Sequence, residues 1–374
     1  MANHSARKIP TVYFENLDAL RFLAAFSVFG FHYFRDINTN FPALQDNQLF
    51  QGMMVVTNKG NLGVNFFFVL SGFLITYLIL HEHKHRGYFS LWKFLARRTL
   101  RIWPLYFIVG LIGFVLFPWI IPGYETAHDP MNYALFLANF DEIWYGANDP
   151  IGFLTSPWSV AVEEQFYLVW GICLFILSRL KAMRPEFLIL LLYIISFWFR
   201  WQYLHDDRML YYHTLSVCQD ILTGSLIAIA LFRGNRFLDW LKTLPQFIVF
   251  VTYLFGIILC VAKNKIFEGD LMIIERLPLS LFFGFVILDQ IRGENSFFKF
   301  GKVKVFNYLG KISYGLYMYH LVVMYLISEW IDQYGWDNYW LIPVYFLASL
   351  MSVILVSGLS YRFIESKFLN LKPK

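Results

Sequence analysis

Ten stretches of about twenty predominantly apolar residues recur along this 374-residue chain, and they constrain it more than any single motif. The hydrocarbon core of a bilayer is about 30 Å thick, so a helix rising about 1.5 Å per residue needs about 20 apolar residues to cross it. The stretches fall near residues 15–36, 62–80, 102–121, 158–178, 186–204, 213–232, 246–263, 271–289, 313–331 and 339–361. Composition points the same way. Hydrophobic residues make up 58% of the chain and charged residues 15%, against about 45–50% and about 25% in soluble domains. The expected fold is all-α, a polytopic membrane helix bundle with about ten transmembrane helices. No soluble domain, low-complexity linker or clear internal repeat interrupts it, so residues 1–374 read as one domain with a core at roughly 14–365.

Lysine and arginine set the orientation, because connections rich in them stay cytoplasmic. They concentrate at the N-terminus, in the tail and in the connections 81–101, 179–185, 233–245 and 290–312. Examples are Arg7, Lys84, Arg97, Arg98, Lys181, Arg236, Lys302 and Lys372. Residues 122–157 hold none, but carry Glu125, Asp129, Asp141, Glu142 and Asp149. Ten helices with both termini cytoplasmic satisfy this bias throughout. The bias also accounts for the formal net charge of +5, since no basic, aromatic-interleaved domain suited to nucleic acid is present. Arg7 and Lys8 precede the first span as in a signal peptide. That span contains Arg21 and lacks a small-residue cleavage site, so it reads as a retained anchor. Cys173, Cys218 and Cys260 lie in apolar spans without a CxxC motif, which makes them small core residues.

The first span carries Asp18, Arg21 and His32. A charge at the centre of a membrane helix costs about 2.5–3.5 kcal/mol on insertion scales, so such residues face a protein interior or a water-filled cavity. Eleven residues advance a helix by about three turns plus 20° and by about 16 Å. Arg21 and His32 therefore share one face, the arginine toward the cytoplasm and the histidine well across the membrane. For either residue alone, a snorkelling arginine or a histidine packed near the far interface is the plainer account. Their shared face favours a function.

In the second span, GVNFFFVLSGFLIT (63–76), Gly63 and Gly72 permit close helix approach, and Asn65 and Ser71 could line a cavity. The stretch HEHKHRGYFSLWKFLARRTLRIWPLYF (81–107) places Arg98 and Arg101 three apart on one helical face, with Arg97 beside them. Guanidinium forks suit phosphates through paired hydrogen bonds in a fixed plane. A phosphate-bearing donor fits this spacing, and so does an ordinary cationic flank on anionic lipid. His81, His83 and His85 alternate here, but no carboxylate or cysteine cluster completes a metal site, and a solvated loop is expected.

SPWSVAVEEQFYLVW (156–170) opens the fourth span with Glu163 and Glu164 in its first turns, where a helix N-terminus tolerates anions. Glu164 is free to face water. Glu163 and His32 lie at similar depths, which would allow a carboxylate to orient an imidazole or raise its basicity. In GKISYGLYMYH (310–320), Tyr317 and His320 can share a face, although an aromatic belt with a packed histidine explains them as well.

Taken together these segments resemble acyltransferase family 3, integral membrane O-acetyltransferase-like proteins that move acyl groups, commonly acetyl, onto extracytoplasmic carbohydrates. The resemblance rests on Arg21-x10-His32, GVNFFFVLSGFLIT, RRTLRIWPLY, SPWSVAVEEQFYLVW and GKISYGLYMYH in that order, closed by YRFIE (361–365). Any one motif is weak; the ordered set is specific. By position it implies His32 as the essential histidine and Arg21 as its basic partner. It implies Arg98 and Arg101 as the R-x-x-R pair near an acyl-CoA donor, and Glu163 as the glutamate of the W-S-x-x-x-E-x-x-F-Y pattern. Two positions depart from the pattern. Asn65 stands where an aspartate is frequent, which weakens an acid–base role there, and Gly171 stands where a proline often follows, which bears on helix shape. The sequence shows no C-terminal esterase-like domain of the kind some relatives carry. The membrane unit, alone or with a separate protein, is therefore expected to complete transfer. The resemblance also implies a bacterial inner (cytoplasmic) membrane.

The expected function is acyl transfer from acyl-CoA, with acetyl-CoA favoured, to a hydroxyl of a cell-surface carbohydrate or glycolipid. His32 would act as general base with help from Glu163, Arg21 would stabilise donor charge, and Arg98 and Arg101 would bind donor phosphates. A covalent acyl-histidine is the rival route. No permanently bound cofactor or metal is expected; the partners are acyl-CoA, the acceptor and membrane lipid. A proton-coupled transporter would use Arg21, His32 and Glu163 equally well, though no paired broken helices or repeated halves point to one. Helix counting leaves the donor arginines near one face and His32 near the other. Direct transfer therefore requires a cavity that admits the extended arm of the donor, or a first helix that is broken or sunken.

Overall fold

The computed structural model describes residues 12–121, 123–146, 152–180, 184–333, 335 and 339–373, and every regular element among these is helical. Arg7, Lys8, Asp149 and Lys181 lie outside the described residues. A long helix occupies each apolar stretch: α1 (Glu15–Asn40), α2 (Leu62–Arg86), α3 (Leu91–Leu111), α4 (Pro157–Arg179), α5 (Glu186–Gln202), α6 (Thr214–Phe232), α7 (Gln246–Ile266), α8 (Arg276–Arg292), α9 (Ser313–Asp332) and α10 (Leu341–Ser360). Among the described residues, six helical runs are long and apolar enough to cross a membrane: Gln48–Arg86, Leu91–Ile120, Phe153–Arg179, Asp207–Phe232, Gln246–Ile266 and Leu341–Asn370. The chain is an integral membrane protein. The other four helices differ for identifiable reasons. At 17 residues each, α5 and α8 are at the lower limit for spanning. Charged residues including Asp18, Arg21, Arg35 and Asp36 interrupt α1, and α9 interleaves tyrosines with His320.

Two helices run further than hydropathy implies. α2 continues through His81, His83 and His85 to Arg86, and it ends where Gly87 adopts φ 76°, a left-handed conformation that glycine takes without a Cβ clash. Basic residues in that last turn face the negative end of the helix dipole. The three histidines are thus a helix terminus and not a loop. His81 and His85 lie one turn apart with ring centroids 4.2 Å apart, and no cluster of metal-binding type occurs among the described residues. α3 begins at Leu91, so Arg97, Arg98 and Arg101 are helical as their spacing implies. It passes through Pro104 and a π-helical turn at Ile112–Leu116 before its run ends at Ile120.

The bundle is built around α2 and α6, whose apolar stretches are 72% and 67% buried, against 17% for α7. Gly72 faces the backbone of Ile221, and Gly224 faces that of Val69. Gly63 in turn lets α2 approach α1 at Ala24 and Ser27. Both glycines of the second apolar stretch are therefore packing residues. Outside this centre, α7 exposes Phe247, Phe250, Phe255 and Ile257, an apolar face suited to lipid chains. The Tyr345 hydroxyl donates to Asp36 Oδ2 at 2.5 Å and the Tyr33 hydroxyl to the Ile342 carbonyl at 2.7 Å, tying α1 to α10. In the connection after α3, Asp141 is fully buried and Glu142 nearly so. Asp141 is bonded to His128 and accepts from Asn132 Nδ2 at 2.7 Å. Two of the acidic residues counted there as loop charge therefore pin the connection from within.

Candidate active site

Arginine side chains from two helices converge on a cavity of about 120 Å³ among α1, α2, α3, α4 and α9. Arg21 of α1 and Arg98 and Arg101 of α3 line it, with Ser71, Glu163, Tyr167 and Tyr314. The Arg21 guanidinium donates to Asp18 at 2.5 Å, and the Tyr13 hydroxyl donates to the same carboxylate at 2.9 Å. Asp18 is thus the fixed counter-ion of Arg21. Arg97 turns out of the cavity to Glu82, 2.9 Å away. Arg98 and Arg101 have no ion-pair partner among the described residues, and Arg98 Nε is buried without a hydrogen bond. Unpaired guanidinium forks with buried donors make a site for an anion.

Glu163 belongs to the same cavity. The Tyr167 hydroxyl, one helical turn further along α4, donates to Glu163 Oε2 at 2.6 Å, and Ser71 of α2 is hydrogen-bonded to that hydroxyl. The carboxylate, phenol and alcohol form a chain along the cavity wall. Glu164 instead accepts from the Trp103 indole at 3.2 Å.

His32 lines a second cavity, of about 690 Å³, together with Arg35, Asn65, Tyr211, Arg276 and His320. The rings of His32 and His320 have centroids 5.1 Å apart. The structure therefore does not bring Glu163 to His32, and the neighbour of His32 is a second imidazole. Asn65 donates to Asp220 Oδ2 at 2.9 Å, and Arg276 donates to the same oxygen at 2.5 Å. The amide at position 65 thus supports a buried ion pair. Arg200, 1% exposed, donates to the carbonyls of Met272 at 2.5 Å and Ile273 at 3.0 Å and to Ser216 Oγ at 2.7 Å. It clamps the segment before α8 to the cavity rim. Sequence reasoning did not single out Asp220, Arg276 or Arg200. The charge of Asp220, Arg200 and Arg276 inside apolar stretches was the available signal.

The two cavities are adjacent. Val64 and Tyr317 line both, and the Tyr317 hydroxyl is held by the Ser156 carbonyl at 3.1 Å and by Ser159 at 2.7 Å. Arg21 and His32 lie on the one continuous helix α1, each at a different cavity. Their eleven-residue spacing corresponds to about 16 Å of rise, and it separates the two cavities along the bundle.

A helical membrane protein whose buried charges divide between an arginine-lined and a histidine-lined cavity handles polar groups within the bilayer. The acyltransferase domain of family 3 matches residues 14–362, and the chain belongs to that family. It is similar to the protein named "Putative O-acetyltransferase SACOL0978" of Staphylococcus aureus (strain COL), 30% identical over 338 residues that cover 83% of this chain and 52% of that protein. It is also similar to O-acetyltransferase OatA of Staphylococcus aureus (strain NCTC 8325 / PS 47), 28% identical over 335 residues, 82% of this chain and 52% of that protein. The chain spans about half the length of the curated relatives it matches. No solved structure matches it.

Proposed function

We propose that this protein transfers an acyl group, acetyl first among candidates, from acyl-CoA to a hydroxyl of a cell-surface carbohydrate or glycolipid. In this reading α1 to α10 all cross a bacterial inner membrane, with both termini cytoplasmic, as the lysine and arginine distribution favours. The observation that carries the reading is the pair of cavities meeting at Val64 and Tyr317, one lined by unpaired arginines and the other by His32. Arg98 and Arg101 bind the phosphates of the donor from the cytoplasmic side, and Arg21, already balanced by Asp18, stabilises donor charge further in.

The length of the donor arm is comparable with the separation of the two sites. About twelve bonds separate the pyrophosphate of CoA from its sulfur, the backbone length of about four extended residues, or about 14 Å. That is close to the ~16 Å of helix rise between Arg21 and His32. The pantetheine arm would thread past Tyr317 and present the thioester to the histidine-lined cavity. There His32 takes the proton of the acceptor hydroxyl as its oxygen attacks the acyl carbon. The carbon–sulfur bond breaks, and the departing thiolate takes the proton from the imidazolium, so that ester and free CoA leave together. A positioned base of this kind contributes about 10²–10⁴ in rate. Glu163 acts on the donor side, through Tyr167 and Ser71, on the wall along which the arm passes.

Purified wild-type and His32→Ala protein, given radiolabelled acetyl-CoA and a glycan extract from the source cells, test the reading. Label entering glycan in step with free CoA, and lost in His32→Ala while CoA binding persists, is the expected result. Two cavities at a shared wall also fit a proton-coupled carrier. Label that crosses proteoliposomes without ester formation would establish that alternative.

A further inference from the structure

The sequence leaves His320 open between a face shared with Tyr317 and a packed histidine in an aromatic belt, and its hydrogen bonding is not that of a satisfied core residue. It is 1% exposed and lines the cavity of His32. The two rings lie 5.1 Å apart between centroids, with planes inclined at 54°. His320 Nδ1 is 2.6 Å from the carbonyl oxygen of Tyr317, three residues earlier on α9. A carbonyl only accepts, so Nδ1 carries the ring proton and Nε2 holds a lone pair. That Nε2 is buried and has no hydrogen-bond partner among the described residues. Withholding a donor from a buried acceptor costs a fold free energy, and such atoms call for an explanation in function.

A donor is at hand. His32 projects from α1 into the same cavity, only partly buried, and neither of its nitrogens is bonded to another described residue. His320 is fixed at Nδ1 and enclosed, so His32 is the ring with room to turn. We infer that His320 is a positioning residue: its Nε2 accepts the N–H of His32, which leaves the other His32 nitrogen with its lone pair turned to the acceptor hydroxyl.

This inference rests on the proposed role of His32 as base and gives that base the orienting partner that Glu163, at the other cavity, does not supply. No atom passes to His320. When His32 takes the acceptor proton, the hydrogen bond between the rings becomes charge-assisted and strengthens, so it stabilises the transition state more than the ground state. Tyr317 takes part twice. Its carbonyl fixes the tautomer of His320, and its side chain forms the wall between the cavities. The passage for the donor arm and the orientation of the base are thereby set by one turn of α9.

The test compares His320→Phe and His320→Leu, which remove the acceptor, with His320→Gln, which places an amide oxygen near the position of Nε2. Wild-type and His32→Ala protein serve as references. Transfer of label from acetyl-CoA to the glycan extract and equilibrium binding of CoA are measured for each. A hydrogen bond to a charged group is worth about 1.5–3 kcal/mol, which converts to about 10- to 150-fold in rate. The acceptor-free variants are expected to lose kcat by that factor with KM for acetyl-CoA and CoA affinity within about twofold, and His320→Gln to recover most of it. Wild-type kcat in His320→Phe or His320→Leu, with His32→Ala inactive, would overturn this inference alone. Equal loss in all three His320 variants would also overturn it, since shape and not the acceptor would then matter. Full activity in His32→Ala would remove the base itself and this partner with it.

Discussion

Replacing Gly72 by alanine probes the centre of the bundle with a single methyl group. A Cβ at Gly72 would lie 1.9 Å from the Ile221 carbonyl oxygen, and one at Gly224 would lie 1.9 Å from that of Val69. Both obstacles are backbone, so no side chain can swing aside. Ordinary contact begins at 3.4 Å, and 3.4 minus 1.9 leaves 1.5 Å by which α2 and α6 must part at this point. Overpacking of a dense core costs about 1–3 kcal/mol, and a backbone-to-backbone displacement belongs at the upper end. The shift would also carry Ser71 and Val64 of α2 away from the cavities they line. Gly72→Ala is therefore expected to melt several degrees below wild type in detergent and to weaken CoA binding. Gly224→Ala should do the same, and the double variant should cost less than the sum, because helices already parted need not part twice. Gly110→Ala in α3, where no atom lies within 4 Å of the added methyl, is the neutral control. A Gly72→Ala protein that melts and binds CoA like wild type would refute the reasoning.

Other consequences are equally direct. Arg98→Ala and Arg101→Ala should each raise KM for acetyl-CoA by about tenfold or more, from the loss of a charged hydrogen bond of about 1.5–3 kcal/mol, with a smaller change in kcat. The half-buried Lys372 ammonium is pushed down to about 7 by burial, then by Arg101, Arg98 and Arg97. It gains its charge as pH falls through that value and adds a cation to the field of Arg98 and Arg101, the proposed phosphate ligands. CoA affinity should tighten from about pH 8 to about pH 6, and Lys372→Gln should flatten that part of the titration. Arg276→Met takes from the fully buried Asp220 the guanidinium bonded to its Oδ2, leaving Asn65 as the hydrogen-bond donor there, and breaking such a pair costs about 3–5 kcal/mol. Thermal unfolding should show a larger loss for Arg276→Met than for Arg276→Met combined with Asp220→Leu.

The helices were legible in the sequence because a bilayer demands uninterrupted apolar length, and each apolar run did become a helix. Their ends were not. Hydropathy registers polarity, whereas Glu82, Lys84 and Arg86 are good helix formers and carry α2 on to Gly87. At the site, the spacing of Arg21 and His32 was informative because both lie on one rigid helix, and the structure places them at two adjoining cavities. Similar depth left contact between Glu163 and His32 possible, and the structure places the two at different cavities for a geometric reason. Matching depth fixes a position along the membrane normal but not the direction in which α4 faces, and packing turns Glu163 toward Tyr167 and Ser71. Burial of Asp141 against His128 depends on a tertiary contact, so a count of loop charges could not reveal it. His320 carried too little signal by itself, since its meaning comes from a ring on another helix.

The central claim is that a donor held by arginines in one cavity reacts at a histidine in the next, its arm passing Val64 and Tyr317, which line both. Obstructing that proposed path tests it most directly. Val64→Phe adds bulk at a residue that lines both cavities and removes none of Arg98, Arg101 or His32. CoA binding to the purified variant reports an intact fold and donor site, and single-turnover transfer of labelled acetyl to the glycan extract reports passage. The account predicts CoA affinity within about twofold of wild type and transfer reduced by tenfold or more, about the effect of 1.4 kcal/mol. Wild-type transfer by Val64→Phe would contradict it.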